Sequence, residues 1–273
     1  MSLSKIAFIG AGNMAQAIFK GLIAEGMEAQ RIIATGTNPE RLTALEQATG
    51  VVATVDNLAA AQQADTLVLA VKPQMLKNVC EAIKPALAHR PLIISVAAGI
   101  TTDSLARWLG EDLAIIRAMP NTPSQLGLGA TGLFANRLAS ASDKALADAI
   151  LGAVGKVEWL ADESLINAVT AVSGSGPAYF YRVMEAMINE GIRMGLTPEA
   201  ARTLTLQTAL GAASLATQSD VDVAELRRRV TSPKGTTEQA LLSFERDDID
   251  GLFSRAMQAC AARGEALAQE LGK

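Results

Sequence analysis

The chain has one histidine, His89, and it lies in a polar stretch before Pro91, outside every motif described below. No histidine is therefore on offer as a general acid at a candidate site. Only two cysteines occur, Cys80 and Cys260, far apart and without metal-ligand spacing. They read as small buried or half-buried hydrophobes in a reducing compartment, and no metal is expected. No apolar run approaches the length of a membrane span. A strand pattern starts at Lys5, which leaves no stretch for a secretory leader, so the expectation is a cytoplasmic protein without a membrane partner. No Lys/Arg run or basic stripe appears, and the net charge is −4. Nucleic acid is not an expected partner. Aromatic residues make up only 4% of the chain.

What the chain has instead is aliphatic bulk. It is 49% hydrophobic over 273 residues, with many Ala and Leu. That suits a helix-rich enzyme of two domains, or one large one. Strand-like runs fall at Ile6–Gly10, Arg31–Thr35, Val51–Ala53, Thr66–Val71, Leu92–Val96 and Leu113–Arg117. Helical runs such as Pro39–Ala48 and Pro73–Leu87 lie between them. This is the βαβ rhythm of a parallel, doubly wound sheet. Ala130–Phe134 and Lys156–Leu160 flank a helix near Ala141–Leu151 and are expected to extend the same sheet. From about Ala161 the pattern is helical to the end. Thr197-Pro198-Glu199 is a helix start with an N-cap threonine and proline at the first position. The expected parts are a dinucleotide-binding domain, 1–161, and an all-α domain, 162–273, without a flexible linker.

Two loops carry the chemistry. Gly10-Ala11-Gly12-Asn13-Met14-Ala15 follows the first strand and opens a helix. Gly10 permits the tight turn, and Gly12 lets the backbone approach a pyrophosphate, whose charge sits at the helix N-terminus. Ligands in such sheets sit beyond the carboxyl ends of the strands. There the chain has Ala70-Val71-Lys72-Pro73, Ala97-Ala98-Gly99 and Met119-Pro120-Asn121. Lys72 reads either as a cofactor contact or as a surface ion pair. No acid ends the second strand to take ribose hydroxyls, while Thr35, Thr37, Asn38 and Arg41 can donate to a 2′-phosphate. NADPH is therefore favoured over NADH. The second loop, Ser232-Pro233-Lys234-Gly235-Thr236-Thr237, precedes a helix. Thr236 and Gln239 read as a capping box, and the N–H groups of Gly235, Thr236 and Thr237 point to a carboxylate site. Ser173-Gly174-Ser175-Gly176-Pro177 is either a helix kink or a helix terminus brought to the substrate.

In these residues the chain resembles pyrroline-5-carboxylate reductase. The resemblance runs essentially end to end. It rests on Gly10–Ala15, on Ala70-Val71-Lys72-Pro73 and on Arg117-Ala118-Met119-Pro120-Asn121-Thr122-Pro123. It rests further on Ser173-Gly174-Ser175-Gly176-Pro177-Ala178-Tyr179 and on the Ser232-Pro233-x-Gly235-x-Thr237 loop. It implies a Rossmann domain, a helical domain that dimerises, and further assembly, possible up to a decamer. It implies hydride transfer from NAD(P)H to the C=N carbon of 1-pyrroline-5-carboxylate, giving L-proline. Thr237 corresponds to the threonine that hydrogen-bonds the substrate ring nitrogen. Asn57 corresponds to a position near the adenosine ribose, and it also reads as a helix N-cap. Two positions depart from the pattern. Thr37 stands where many members carry Arg, and Lys234 where many carry Gly.

The chemistry agrees with the residue inventory. Reduction of a ketone must protonate an alkoxide, whereas a protonated imine is already an electrophile and leaves a neutral amine. Positioning and mild hydrogen bonding suffice, without a strong side-chain acid. A β-hydroxyacid dehydrogenase or another imine reductase is the nearest alternative. The dehydrogenases need a catalytic lysine on the first interdomain helix, and here Tyr179-Phe180-Tyr181-Arg182 follow Gly176, with no lysine until Lys234. A non-catalytic nucleotide-sensing protein is an alternative of another class, and the intact Thr236-Thr237 loop argues against it. The helices after Ala161 look apolar on more than one face, most clearly Ala209–Leu215, so a homodimer is expected.

Overall fold

A computed structural model describes residues 5–273. The expectation of no leader bears on positions before Lys5, outside the described residues. The chain divides into two compact units: one runs up to Ser175 and takes back Ala259–Lys273, and the other is Gly176–Gln258.

The first unit is built on an eight-stranded sheet ordered β3-β2-β1-β4-β5-β6-β7-β8. Its inner strands are β1 (Ile6–Ile9), β2 (Ile32–Thr35), β4 (Thr66–Leu69) and β5 (Leu92–Ser95), each buried along its whole length. Burial on both faces explains why they read as unbroken apolar runs. β3 (Val52–Thr54) forms one edge, and β6 (Ile115–Met119) continues the parallel set beyond β5. β7 (Gly129–Ala135) then runs antiparallel to β6, and β8 (Gly155–Trp159) parallel to β7. The expected extension of the sheet is present, and the reversal at β7 follows from its short connection through the 3₁₀ turn Thr122–Leu126.

Helices α1 (Asn13–Ala24), α2 (Pro39–Thr49), α3 (Asn57–Gln63), α4 (Pro73–Ile83), α5 (Thr102–Leu109) and α6 (Ala141–Gly152) cover the two faces. On one face Phe8, Ile18, Phe19 and Ile150 pack together, and the rings of Phe8 and Phe19 meet edge-on at 5.4 Å. On the other, Leu67, Leu76, Cys80 and Leu105 form the core. Cys80 is fully buried there, and burial with the nearby Glu81 charge pushes its thiol up to about 12, so it serves as a hydrophobe. His89 is exposed, and its Nε2 meets the Ala64 carbonyl at 2.9 Å.

α7 (Leu165–Val169) leads into a π-helical turn, Thr170–Gly174, and the helix is interrupted at Ser175. A π-turn widens the backbone by one residue per turn, and here it sits beside β7. The second unit holds α8 (Gly176–Arg193), α9 (Pro198–Gln218), α10 (Val223–Arg229), α11 (Thr236–Arg246) and the start of α12 (Ile249–Leu271). α9 starts as expected: the Thr197 hydroxyl accepts from Ala200 N–H, with Pro198 at the first position. The end of α12 returns to the first unit, where Leu267 lies against Gly99. The fold is thus a Rossmann-like α/β sheet followed by an all-α region. No helix among the described residues is long and apolar enough to cross a membrane.

Candidate active site

The cofactor candidates of the first unit line up along one edge of the sheet, at the carboxyl ends of neighbouring strands. Gly10 follows β1 with φ +101°, a conformation that disfavours any side chain. Its backbone lies so close to the loop after β4 that a Cβ there would stand 2.9 Å from the Ala70 carbonyl oxygen and from Val71 Cγ1. Its N–H donates to Thr35 Oγ1 at 3.0 Å. Thr35 is itself buried at 1% exposure. It locks the glycine turn from the end of β2 by accepting this hydrogen bond, a role the sequence did not announce. Gly12 caps α1 with an ordinary extended backbone, and no side chain caps the helix. α1 has no acid in its first turn. The N–H groups at Asn13 and Met14 and the open space over Gly12 form a cradle that fits a pyrophosphate.

Beyond β2, Thr37, Asn38 and Arg41 are exposed, and the nearest acid is the exposed Glu40 in the first turn of α2. Asn38 Oδ1 accepts from Arg41 N–H at 2.9 Å and caps α2, which leaves its Nδ2 for a ligand. The N-cap of α3 is Asp56, whose carboxylate takes Ala59 N–H at 3.0 Å. The reading of Asn57 as that cap is corrected: Asn57 is one residue inside the helix. Lys72 is exposed at the start of α4, and no ion pair involving it occurs among the described residues. Ala97 and Gly99 are buried, Ala98 is half-buried, and Gly99 takes φ +73°. Asn121 is 8% exposed and braces two segments: its Nδ2 donates to the Ser173 carbonyl at 3.0 Å and its Oδ1 accepts from Ala130 N–H at 2.9 Å. Ser175 Oγ lies 3.2 Å from Cys260 Sγ.

In the second unit, Gly235 is the N-cap of α11, and no side chain caps it. The expected capping box is corrected, because the helix starts one residue earlier than that reading requires. Thr236 and Thr237 occupy its first two positions, both exposed. The reciprocal contact comes from Glu238, whose carboxylate accepts from Lys234 N–H at 2.8 Å. Lys234 takes φ +60°, a left-handed conformation that glycine adopts more easily. Gly235 N–H closes a turn onto the Ser232 carbonyl at 2.9 Å. The result is a loop of hydroxyls, Ser232, Thr236 and Thr237, over a helix start whose backbone donors carry no side-chain cap.

A carboxylate that the motifs did not single out joins several of these parts. Glu163 accepts from Thr102 N–H at 2.8 Å, from Thr102 Oγ1 at 2.6 Å and from Arg117 at 3.1 Å. Arg117 is 5% exposed. Burial pulls its guanidinium below the usual range, while the charge and hydrogen bond of Glu163 push it back. No group of three His, Cys, Asp or Glu side chains that could hold a metal ion occurs among the described residues.

Comparison with known proteins agrees with this geometry. Residues 163–267 match a family model described as pyrroline-5-carboxylate reductase dimerisation. Residues 5–99 match one described as NADP oxidoreductase, coenzyme F420-dependent. The chain is 49% identical over 273 residues to a pyrroline-5-carboxylate reductase of Pseudomonas aeruginosa, covering 100% of both chains. It is also similar to the solved structure of a pyrroline-5-carboxylate reductase from Coxiella burnetii, with a TM-score of 0.93 and 46% identity, covering 97% of this chain and 98% of that one. A Plasmodium falciparum pyrroline carboxylate reductase with NADP bound superposes with a TM-score of 0.87 at 29% identity, over 98% of this chain and 99% of that one. End-to-end coverage at these identities leaves one conclusion: the chain belongs to the pyrroline-5-carboxylate reductase family.

Proposed function

We infer that this chain reduces 1-pyrroline-5-carboxylate to L-proline with a nicotinamide dinucleotide. The observation that carries the reading is the full-length match to reductases of that name, 49% identical in the first case. In functional terms residues 1–161 bind the dinucleotide, and residues 162–273 bind the substrate and dimerise. A reduced dinucleotide held by these residues would supply the hydride. Gly10, Gly12, Asn13 and Met14 hold the pyrophosphate, the turns at Ala70–Pro73 and Ala97–Gly99 support the ribose and nicotinamide, and Asn57 lies near the adenosine ribose. Ser232, Gly235 and Thr236 hold the substrate carboxylate at the start of α11. Ser175 is a further substrate-binding residue by the family resemblance. The Thr237 hydroxyl accepts from the ring N–H of the protonated imine and orients its carbon. The imine arrives protonated, so none of these residues has to act as a strong acid. In the assay, NAD(P)H oxidation should depend on added 1-pyrroline-5-carboxylate, with 3-hydroxyisobutyrate in the reverse direction as the control. Turnover of the hydroxyacid alone would hand the site to the dehydrogenase reading.

NADPH is the favoured form. Thr37, Asn38 and Arg41 offer donors to a 2′-phosphate beyond β2, and the nearest acid, Glu40, already belongs to α2. The dissociation constant of NADPH should lie below that of NADH, and equal or reversed affinities in a binding titration overturn this preference.

The helical region forms a homodimer, and assembly to a decamer is the further state we propose. Phe180, Tyr181, Met194, Leu204, Leu210 and Leu215 are all exposed on the lone chain, Met194 by 79%. Apolar surface of this extent calls for cover by a partner. Sedimentation at low micromolar concentration should give at least twice the chain mass of 28.5 kDa. An active, monodisperse single-chain species overturns the assembly.

A further inference from the structure

The turn between β5 and α5, Val96–Thr101, has no polar side chain of its own until Thr101. Ala97, Ala98 and Gly99 cannot anchor themselves except through backbone, so their position must be imposed from outside. Three contacts impose it. At the entry, Ala97 N–H reaches Ser95 Oγ at 3.4 Å. Behind the turn stands Leu267, whose Cβ would lie 3.0 Å from a Cβ placed on Gly99. At the exit, the Glu163 carboxylate takes both the N–H and the hydroxyl of Thr102, 61 residues away in sequence. The same carboxylate is tied to Arg117 on β6, directly paired with Ser95 on β5. Glu163 is thus the one group that links the exit of the turn to the strand beside its entry.

We infer that Glu163 is a positioning residue for the dinucleotide, acting through the Val96–Thr101 turn. The inference rests on the cofactor reading above. β5 neighbours β4, whose own loop packs on Gly10, so the turn lies along the same ligand edge as the glycine cradle. The charge is not needed for stability alone. A buried ion pair is weak evidence for stability, and an apolar pair of similar volume often holds a fold as well. What an apolar pair cannot do is hold Thr102 by its N–H and hydroxyl together. Glu163 sits among Arg117, Thr102 and the α5 start, so its displacement moves the turn directly.

The test uses the full-length protein and three variants, Glu163→Gln, Glu163→Asp and the pair R117M/E163L. The readouts are the dissociation constant of NADPH by calorimetric titration, the melting temperature, and separate kcat and KM values for the imine. In Glu163→Gln the NADPH dissociation constant should rise about tenfold, as for loss of a charge-assisted brace, with KM for the imine within about twofold of wild type. Glu163→Asp should recover part of the affinity. R117M/E163L should melt close to wild type and still bind NADPH weakly. If NADPH affinity stays within about twofold of wild type in all three while only melting temperature changes, Glu163 is structural and the inference falls. Wild-type protein that binds no dinucleotide overturns the cofactor reading as well.

Discussion

Gly12→Ala is expected to fold normally and to bind NADPH about 30-fold or more weakly, a loss of roughly 2 kcal/mol. Gly12 has φ −72°, which alanine adopts without strain. The nearest protein atom to an added Cβ is the Ala70 oxygen at 4.0 Å, so the protein itself leaves room. Alanine is a poorer N-cap than glycine, which costs about 0.5–1 kcal/mol. The melting temperature should then fall by no more than roughly 4 °C. Any larger loss of binding reflects a ligand that needs the space. Gly10→Ala is the contrasting variant. There φ is +101° and the Cβ meets backbone and Val71 at 2.9 Å, so strain and overpacking together cost about 2–4 kcal/mol. Gly26→Ala isolates the conformational part, because Gly26 has φ +96° and open space around it. Calorimetric titration and thermal melts of the three variants decide the matter. If Gly12→Ala binds NADPH like wild type, the glycine loop is not the pyrophosphate site.

The glycine cradle was legible because its signal is local. A strand, two glycines and a helix fall within a few residues, and the buried strands announce themselves as apolar runs. The helix caps were only half legible. At Asp56-Asn57 and at Gly235-Thr236 two adjacent residues both suit an N-cap, and sequence cannot tell which one takes the extended backbone. In both places the structure chose the earlier residue. The long-range braces were not legible at all. Glu163 to Thr102 and Arg117, Asn121 to Ser173, and Leu267 behind Gly99 join residues 46 to 168 positions apart or comparable distances, and no periodicity records such a pairing. Asn121 shows the consequence. Its loop position suited a cofactor contact, and the structure adds a bracing task for its side chain, buried with two fixed partners. Thr35 behaves alike, holding Gly10 from below. Around the cradle, the sequence showed the glycine loop itself, while the residues that hold it in place are joined to it only by the fold.

Thr237→Ala is expected to lose roughly 10- to 150-fold in kcat/KM, or about 1.5–3 kcal/mol, for one hydrogen bond to a charged group. Thr237 sits at the second position of α11, exposed, with Gly235 as the cap. Removing its hydroxyl strips no cap, and alanine is the better helix former by up to about 0.7 kcal/mol. The fold should therefore be as stable as wild type or slightly more so. NADPH affinity should not move, because the cradle is built from other residues. Thr236→Ala makes the same point about stability: it is at the first helical position, not the cap, so its melting temperature should match wild type within roughly 2 °C. Thr237→Ser keeps the hydroxyl and should restore most of the turnover. The loss should fall on kcat as well as on KM, since an oriented ring nitrogen matters most as the hydride arrives. Steady-state kinetics with the imine, run beside thermal melts, checks each point. If Thr237→Ala turns over like wild type, the hydroxyl has no part in the reaction, and the α11 backbone donors alone position the substrate.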